Sequence, residues 1–201
     1  MRLIGPRLDT LAPVSLRILV VCTANVCRSP MGEALLRHHC AAADVAVQVA
    51  SAGVRTAGLP VDPQAVALLA GMGLDIATHR PRQLDSSVLD GDGADLVLVM
   101  TREHLRIAAT TGKSAFRRTF TVREFERHLL SCPPEAGEGL DGWLGEVAKT
   151  RQTRDLLGDD PRDDVADPYG GSGGEYRQCV GELDRLCRTT ARALAVMTAA
   201  G

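Results

Sequence analysis

Short apolar runs alternate along the chain with longer segments in which apolar residues recur at helical spacing. Four of the runs have the length and character of buried strands, and they span residues 16–21, 45–50, 95–100 and 116–122. The segments with helical periodicity follow these runs, at residues 30–42, 63–71, 102–109, 123–130 and 175–199. A brief helix is also predicted after residues 79–84, and a further short helix within residues 140–157.

Strands that alternate with helices and are apolar on both faces are typical of a parallel sheet covered by helices on both sides. The pattern therefore predicts an α/β fold with three layers, α/β/α, and a central four-stranded parallel sheet. In such sheets, ligands bind beyond the carboxyl ends of the strands. Three polar features come directly after predicted strands and should meet at that edge. They are Ser51, Thr101 and the loop that begins at Cys22.

One domain accounts for most of the 201 residues. Residues 1–15 form a proline-punctuated lead that we expect to be flexible, and residues 16–201 form a single domain. Within this domain, residues 131–163 have the character of an insertion, with a Cys-Pro-Pro sequence, several glycines and a run rich in aspartate. We interpret the aspartate-rich run as a solvated loop in preference to a metal site.

Composition and charge exclude several classes of protein. The formal net charge of -2 argues against nucleic-acid binding, which needs a clustered basic face. No apolar run approaches the roughly 18 residues of a membrane span, and residues 1–15 lack the apolar stretch of a signal peptide. We therefore expect a cytoplasmic protein. Its cysteines lack zinc-ligand spacing and are expected to be free thiols, at positions 22, 27, 40, 132, 179 and 187.

The loop between the first predicted strand and the first predicted helix carries a cysteine and an arginine six positions apart, Cys22 and Arg28. Ser29 and Pro30 follow as the cap and first residue of the helix. Backbone N–H groups of such a turn, the positive end of the helix dipole and a guanidinium group all favour a bound anion. The same field favours a thiolate over a thiol. The loop is therefore expected to place a nucleophilic sulfur beneath a tetrahedral oxyanion.

Written out, Cys22-Thr-Ala-Asn-Val-Cys-Arg28-Ser-Pro resembles the phosphate-binding loop of the low-molecular-weight protein tyrosine phosphatases. Two further motifs of that family follow in the same order, Ser51-Ala-Gly and Asp167-Pro-Tyr, whereas Ala24 stands where glycine is frequent in the family. The resemblance implies a flavodoxin-like strand order. It also implies hydrolysis of phosphotyrosine in proteins through a cysteinyl-phosphate intermediate.

A phosphatase of this kind needs a general acid, because the leaving alkoxide or phenoxide departs slowly unless a proton is supplied. Asp-Pro occurs three times, beginning at Asp62, Asp160 and Asp167. Asp62 is better explained as a helix cap, and Asp167 alone is followed by an aromatic residue, Tyr169. Asp167 is therefore the predicted general acid and, in the second step, the base that activates water. Tyr169 is expected to wall the mouth of the site and to stack on an aromatic substrate.

The resemblance assigns roles to the other residues of the loop. Arg28 would chelate two phosphoryl oxygens, and Ser29 would hydrogen-bond Cys22 and assist its departure. Asn25 would hold the shape of the loop in a left-handed conformation, with Ser51 hydrogen-bonded to it. Cys27 could form a disulfide with Cys22 on oxidation. The complete predicted phosphate-binding set is Thr23, Ala24, Asn25, Val26, Cys27, Ser29 and Tyr169, with Cys22, Arg28 and Asp167 as catalytic residues and Ser51 in support.

Three other functions remain open at this point. Thiol-dependent arsenate reductases share the scaffold but need relay cysteines after the third strand, and residues 101–111 contain none. Protein arginine phosphatases have a similar loop that tends to carry threonine where Val26 lies, so Val26 favours phosphotyrosine. A non-enzymatic phosphoprotein-binding module would not need Cys22, Arg28 and Asp167 together.

Partners and cofactors follow from the resemblance. The expected partner is a protein that carries phosphotyrosine, and family analogy adds a tyrosine kinase. Phosphate or another oxyanion is expected to bind in the loop. Neither a metal ion nor an organic cofactor is expected, because arginine and backbone amides neutralise the phosphate.

Overall fold

A computed structural model of the protein describes residues 15–55, 58–91, 93–112, 115–151 and 160–199. Four parallel strands form one sheet in the order β2-β1-β3-β4, which confirms the flavodoxin-like order and the three-layer fold. Their bounds are β1 Leu16–Cys22, β2 Val47–Gly53, β3 Leu96–Val99 and β4 Thr119–Thr121. Residues 1–14 of the predicted lead and residues 152–159 of the predicted insertion lie outside the described part of the chain.

In the described part of the chain, six α-helices cover the two faces of the sheet. Alternate residues along β1 point to opposite faces, so Ile18 and Val20 belong to one core cluster and Leu19 and Val21 to another. The larger cluster includes residues of every helix except α3, which packs on the opposite face. The helices are α1 Arg28–Ala42, α2 Pro63–Gly71, α3 Arg102–Thr111, α4 Val122–Ser131, α5 Leu140–Thr150 and α6 Gly173–Thr198.

Helix starts follow the capping signals of the sequence. The Asp62 carboxylate accepts hydrogen bonds from the N–H groups of Gln64 and Ala65, so this Asp-Pro pair is a helix cap, as predicted. Thr121 and Ser172 each form a capping box with a glutamate three residues later. Thr101 caps α3, which places that helix directly after β3.

The fourth strand is shorter than predicted. Residues 116–118 belong to a 3-10 turn, Ala115–Arg118, and the strand covers Thr119–Thr121 alone. The hydroxyl group of Thr119 donates to the carbonyl oxygen of Ala115 at 2.6 Å, which closes this turn immediately before the strand. Phe116, whose apolar side chain suggested a strand, is 40% exposed.

Helix α5, in the predicted insertion, packs against α4. Trp143 is fully buried, its ring lies 5.2 Å from that of Phe125, and its indole N–H donates to the carbonyl oxygen of Cys132 at 2.8 Å. The helix ends at Thr150, where Arg151 adopts an extended conformation.

Within the described part of the aspartate-rich run, Asp163 and Asp164 are not solvated as we predicted. Asp163 is fully buried and forms ion pairs with Arg102 and Arg127, while the Asp164 carboxylate accepts a hydrogen bond from the Arg102 N–H group. A charge count along the sequence could not reveal this, because all three arginine contacts come from segments far away in the chain.

Among the described helices, none is long and apolar enough to cross a membrane.

Candidate active site

The loop from Thr23 to Cys27 lies at the carboxyl edge of the sheet, between β1 and α1. Backbone hydrogen bonds hold it from two sides. The Arg55 N–H donates to the Thr23 carbonyl oxygen at 2.8 Å, and the Asp62 N–H donates to the Val26 carbonyl oxygen at 2.8 Å. The shape of the loop therefore depends on the chain that follows β2, as well as on its own sequence.

Gly53, at the end of β2, allows the loop to approach the sheet closely. A Cβ atom at this position would lie 2.7 Å from the Ala24 carbonyl carbon and 2.8 Å from the Asn25 nitrogen. Both neighbours are backbone atoms, which cannot rotate away as a side chain can. Sequence reasoning included Gly53 in a family motif but assigned no role to it.

Gly53→Ala is therefore expected to displace the loop and to lower kcat/KM by about 100-fold, the effect of a misplacement of roughly 1 Å in an active site. The measurement is hydrolysis of an aryl phosphate. Gly181→Ala on α6 is the matched control, because a Cβ atom there meets nothing within 4 Å. Equal activity of both variants would contradict the assigned role.

Cys22 is buried at the end of β1, and its Sγ atom lies 3.0 Å from Oγ of Ser29. The Ser29 oxygen also accepts a hydrogen bond from Asn25 Nδ2 at 2.9 Å. The same hydroxyl group lies 3.3 Å from the Ala52 carbonyl oxygen, so its hydrogen has two acceptors within reach, that oxygen and the sulfur. The predicted contact between Ser29 and Cys22 is thus present.

Asn25 holds the loop from within. Its φ of 58° is the left-handed conformation expected for it, and its Nδ2 atom donates to Ser51 Oγ at 2.8 Å, as predicted. Its Oδ1 atom accepts from the Arg82 N–H at 2.9 Å, and the Nε2 atom of His79 lies 3.2 Å away. Ser51 in turn donates to Glu33 at 2.6 Å. Sequence reasoning missed these three outer partners.

Arg28 is almost fully buried, and its guanidinium group reaches both the loop and a distant segment. Nη1 donates to the carbonyl oxygen of Val165 at 2.9 Å, and Nη2 donates to Thr23 Oγ1 at 3.1 Å. Nη2 also donates to Oδ2 of Asp167 at 2.5 Å. The fold thus brings the predicted acid, 139 residues away in sequence, to the mouth of the Cys22 loop.

The Asp167 side chain is 45% exposed, so solvent and substrate can reach it. Its Oδ1 atom accepts a hydrogen bond from the N–H group of Tyr169 at 3.2 Å. The Tyr169 side chain is 54% exposed and is therefore available at the surface beside the acid.

His104, on α3, is a further residue of the site that sequence reasoning missed. Its Nε2 atom lies 3.0 Å from Thr23 Oγ1, the same hydroxyl that accepts from Arg28. Burial, with the positive charges of Arg28 and Arg55 nearby, lowers the pKa of His104 to about 3. His104 is therefore neutral at physiological pH.

This pKa shift predicts acid-sensitive stability. Between pH 6.5 and about 3 an unfolded chain binds a proton at position 104 that the folded chain does not, so stability falls as the pH falls through this window. The full effect of one such proton is about 1.4 kcal/mol per pH unit. His104→Gln should weaken this dependence, measured as the free energy of urea unfolding against pH. The exposed His38 replaced by Gln is the control, and identical slopes in both variants would refute the prediction.

The other buried thiols near the loop are held protonated. Burial raises the pKa of Cys27 far above its usual value, raises that of Cys179 to about 12, and raises that of Cys40 to about 11. All six cysteines are free thiols, as predicted. Cys22 differs from Cys27, in the same loop, in lying 3.0 Å from the Ser29 hydroxyl oxygen.

The site is suited to an anion. Within the described residues, no group of three or more His, Cys, Asp or Glu side chains is arranged to hold a metal ion. The Cys22 loop and α1 instead bring together a thiol, a hydroxyl group in contact with it and the Arg28 guanidinium group, and Asp167 adds a carboxyl group from a distant segment. This arrangement can perform nucleophilic displacement at phosphorus, with a proton donor on the leaving-group side.

Comparison with known proteins gives a consistent result. Residues 17–157 match the family model described as low molecular weight phosphotyrosine protein phosphatase. A probable low molecular weight protein-tyrosine-phosphatase, EpsP of Ralstonia nicotianae, is 40% identical over an alignment that covers 65% of this chain and 94% of the relative. A protein-arginine-phosphatase of Bacillus subtilis is 31% identical and covers 88% of this chain and 95% of its own length.

Two solved structures illustrate the similarity of the fold. The low molecular weight protein tyrosine phosphatase of T. tengcongensis superposes with a TM-score of 0.66 at 30% identity, covering 89% of this chain and 99% of that chain. A YwlE mutant from Bacillus subtilis gives a TM-score of 0.65 at 30% identity, covering 89% and 97%.

Proposed function

This chain belongs to the low molecular weight phosphotyrosine protein phosphatase family, and we propose that it hydrolyses phosphotyrosine in proteins through a cysteinyl-phosphate intermediate. One observation carries the proposal. The Cys22 loop and Asp167 meet around Arg28, whose Nη2 atom lies 2.5 Å from Asp167 Oδ2. Cys22, the proposed nucleophile, and Asp167, the proposed proton donor, are far apart in the sequence but lie beside the same anion-binding loop.

In the first step, Cys22 Sγ attacks phosphorus, an S–P bond forms, and the P–O bond to the leaving phenol breaks. Arg28 binds two phosphoryl oxygens and gains interaction as charge develops on them in the transition state. The arriving dianion competes with Asp167 for the Arg28 guanidinium group. Asp167, once displaced from Arg28, takes a proton from solvent and gives it to the phenolic oxygen on the leaving-group side.

In the second step, Asp167 takes a proton from water, the water oxygen attacks phosphorus, and the S–P bond breaks. The Ser29 hydroxyl group, 3.0 Å from Cys22 Sγ, stabilises the departing thiolate. Asn25 and Ser51 keep the loop in shape throughout both steps, because both are buried and hydrogen-bonded to each other. Thr23, Ala24, Val26 and Cys27 complete the loop whose backbone N–H groups bind the phosphoryl oxygens.

Asp167→Asn should lower kcat/KM for a phenyl phosphate ester by about 10²- to 10⁴-fold, the usual scale of general acid catalysis. Asparagine keeps the shape of the side chain and removes the proton that the leaving group needs. Asp160→Asn is the matched control, because Asp160 also precedes a proline but its carboxylate pairs with Arg162. Equal rates for wild type and Asp167→Asn would remove Asp167 from the mechanism.

The substrate is tested by competition between two phosphopeptides that differ only in the phosphorylated residue. The arginine phosphatases share a larger part of this chain than EpsP does, whereas the buried, apolar Val26 side chain offers a guanidino group no hydrogen bond. We expect a higher kcat/KM for the phosphotyrosine peptide, in the presence of a chelator. Faster release of phosphate from the phosphoarginine peptide would mean that phosphoarginine, not phosphotyrosine, is the substrate. Peptide binding without turnover would indicate a binding module, and thiol-dependent arsenate reduction alone would indicate an arsenate reductase.

We further propose a cytoplasmic enzyme, since a cysteine nucleophile needs a reducing compartment to remain a thiol. The domain assignment is proposed in the same way, with residues 16–201 as one catalytic domain and residues 131–163 as its insertion. A tyrosine kinase that phosphorylates the same substrates is the proposed partner.

A further inference from the structure

Residues 163–165 precede Asp167 in the chain, and each of them is held by a contact with another segment. The Asp163 carboxylate pairs with Arg102, and the Asp164 carboxylate accepts from the Arg102 N–H group at 2.8 Å. The Val165 N–H donates to the Met100 carbonyl oxygen at 2.8 Å. These anchors come from Met100, directly after β3, and from Arg102, the first residue of α3.

The next link reaches the site itself. The carbonyl oxygen of Val165 accepts from Nη1 of Arg28 at 2.9 Å, and Asp167 meets Nη2 of the same guanidinium group two residues later. The place of the acid therefore depends on the backbone of residues 163–165. That backbone in turn depends on Arg102, which holds two of the three residues.

Arg102 is built into this position. Its side chain is 6% exposed and that of Asp163 is fully buried, so the pair is shielded from solvent and from screening by salt. The other end of the guanidinium group faces Glu124, with Nη1 3.7 Å from Oε2. Glu124 is fixed by Arg151 at the end of α5, at 3.0 Å. The insertion thus braces Arg102 from the side opposite the acid loop.

We propose that the Arg102 side chain positions the general acid through its buried ion pair with Asp163. The contact with Asp164 is made by the backbone N–H of residue 102 and remains when the side chain is replaced. This inference rests on the proposed function, because it takes Asp167 as the proton donor. Arg102 itself touches neither the loop nor the reacting atoms. Its loss should therefore affect proton donation and leave nucleophilic attack by Cys22 intact.

The test compares two aryl phosphates whose leaving phenols differ in acidity. Phenyl phosphate needs a proton on its leaving oxygen, whereas dinitrophenyl phosphate expels a stable phenolate without one. The quantity is kcat/KM, which reports the steps up to formation of the cysteinyl-phosphate. Arg102→Met should lower it by about 10- to 100-fold for phenyl phosphate and by less than about threefold for dinitrophenyl phosphate. Arg102→Lys, which retains the charge opposite Asp163, should recover part of the loss.

Controls separate positioning from general destabilisation. Asp184→Asn removes a partly buried carboxylate that pairs with Arg188 and contacts His39 at 2.7 Å. The His39 contact joins α1 to α6, and neither contact involves a residue of the anchored segment. This variant should lower kcat/KM for both substrates by the same factor, or leave both values unchanged. If Arg102→Met does not fold, Asp163→Asn removes the carboxylate that pairs with Arg102 and with Arg127, with little change in volume, and should give the same selective loss.

Two outcomes would overturn the inference. One is an equal loss for both substrates in the folded Arg102 and Asp163 variants. The other is a further loss for phenyl phosphate when Arg102→Met is added to Asp167→Asn, because residues acting through one proton donor should not be additive. If Asp167→Asn alone shows no dependence on the leaving group, the proposed function fails as well. Selectivity in Asp167→Asn but not in Arg102→Met refutes this inference alone.

Discussion

Cys22→Ser should abolish phosphatase turnover, the largest effect that we expect from any single substitution. A serine hydroxyl fits the same space and can keep the contact with Ser29 at 3.0 Å, so the loop should survive. The hydroxyl, however, lacks the thiolate character that makes cysteine nucleophilic near neutral pH. Release of phosphate from an aryl phosphate should therefore fall below detection.

Cys40→Ser is the matched control for this experiment. Cys40 is also buried, but it lies on α1 and its pKa is raised to about 11 by burial. Its substitution should change thermal stability without removing activity. If the Cys22 variant retained turnover, or if the Cys40 variant lost it, the assignment of the nucleophile would be wrong.

Arg28→Lys should lower kcat/KM by about 10²- to 10³-fold, the scale of losing one pre-organised donor to the transition state. Lysine keeps the charge but not the planar fork that binds two phosphoryl oxygens. The fork also serves two protein partners at once, Val165 and Asp167, at 2.9 and 2.5 Å. A single ammonium group cannot satisfy both, so the acid should lose its position together with the phosphate.

The matched control is Arg188→Lys on α6, where a half-exposed arginine pairs with Asp184 one helical turn away. That exchange should leave kcat/KM unchanged, because a surface ion pair contributes little and keeps its charge. Near-normal activity in Arg28→Lys would mean that charge alone is needed at the site. It would argue against a bidentate interaction with the phosphoryl group.

Two features show where sequence reasoning failed. The aspartates at 163 and 164 looked solvated because the sequence around them is polar, yet Arg102 and Arg127 approach them from α3 and α4. Likewise, Phe116 suggested a strand, but it lies in the 3-10 turn Ala115–Arg118, and the strand begins only at Thr119. In both cases a contact with a distant or preceding segment overrode the local pattern.

The sequence by itself determined the elements and the nucleophilic loop of this protein. Periodicity places strands and helices from nearby residues, and Cys22, Arg28 and Ser29 lie within eight consecutive positions between one strand and one helix. Their geometry is local, so the strand, turn and cap are enough to predict it. The left-handed Asn25 is local in the same sense.

The tertiary structure alone decided what completes the site. Asp167 reaches Arg28 because residues 163–165 are tied to the end of β3. Gly53 is needed because another segment passes within 2.8 Å of the space its side chain would take, and His104 is neutral because the fold buries it near two arginines. Contacts between segments far apart in the chain depend on how the layers pack, and spacing along one sequence carries no measure of that.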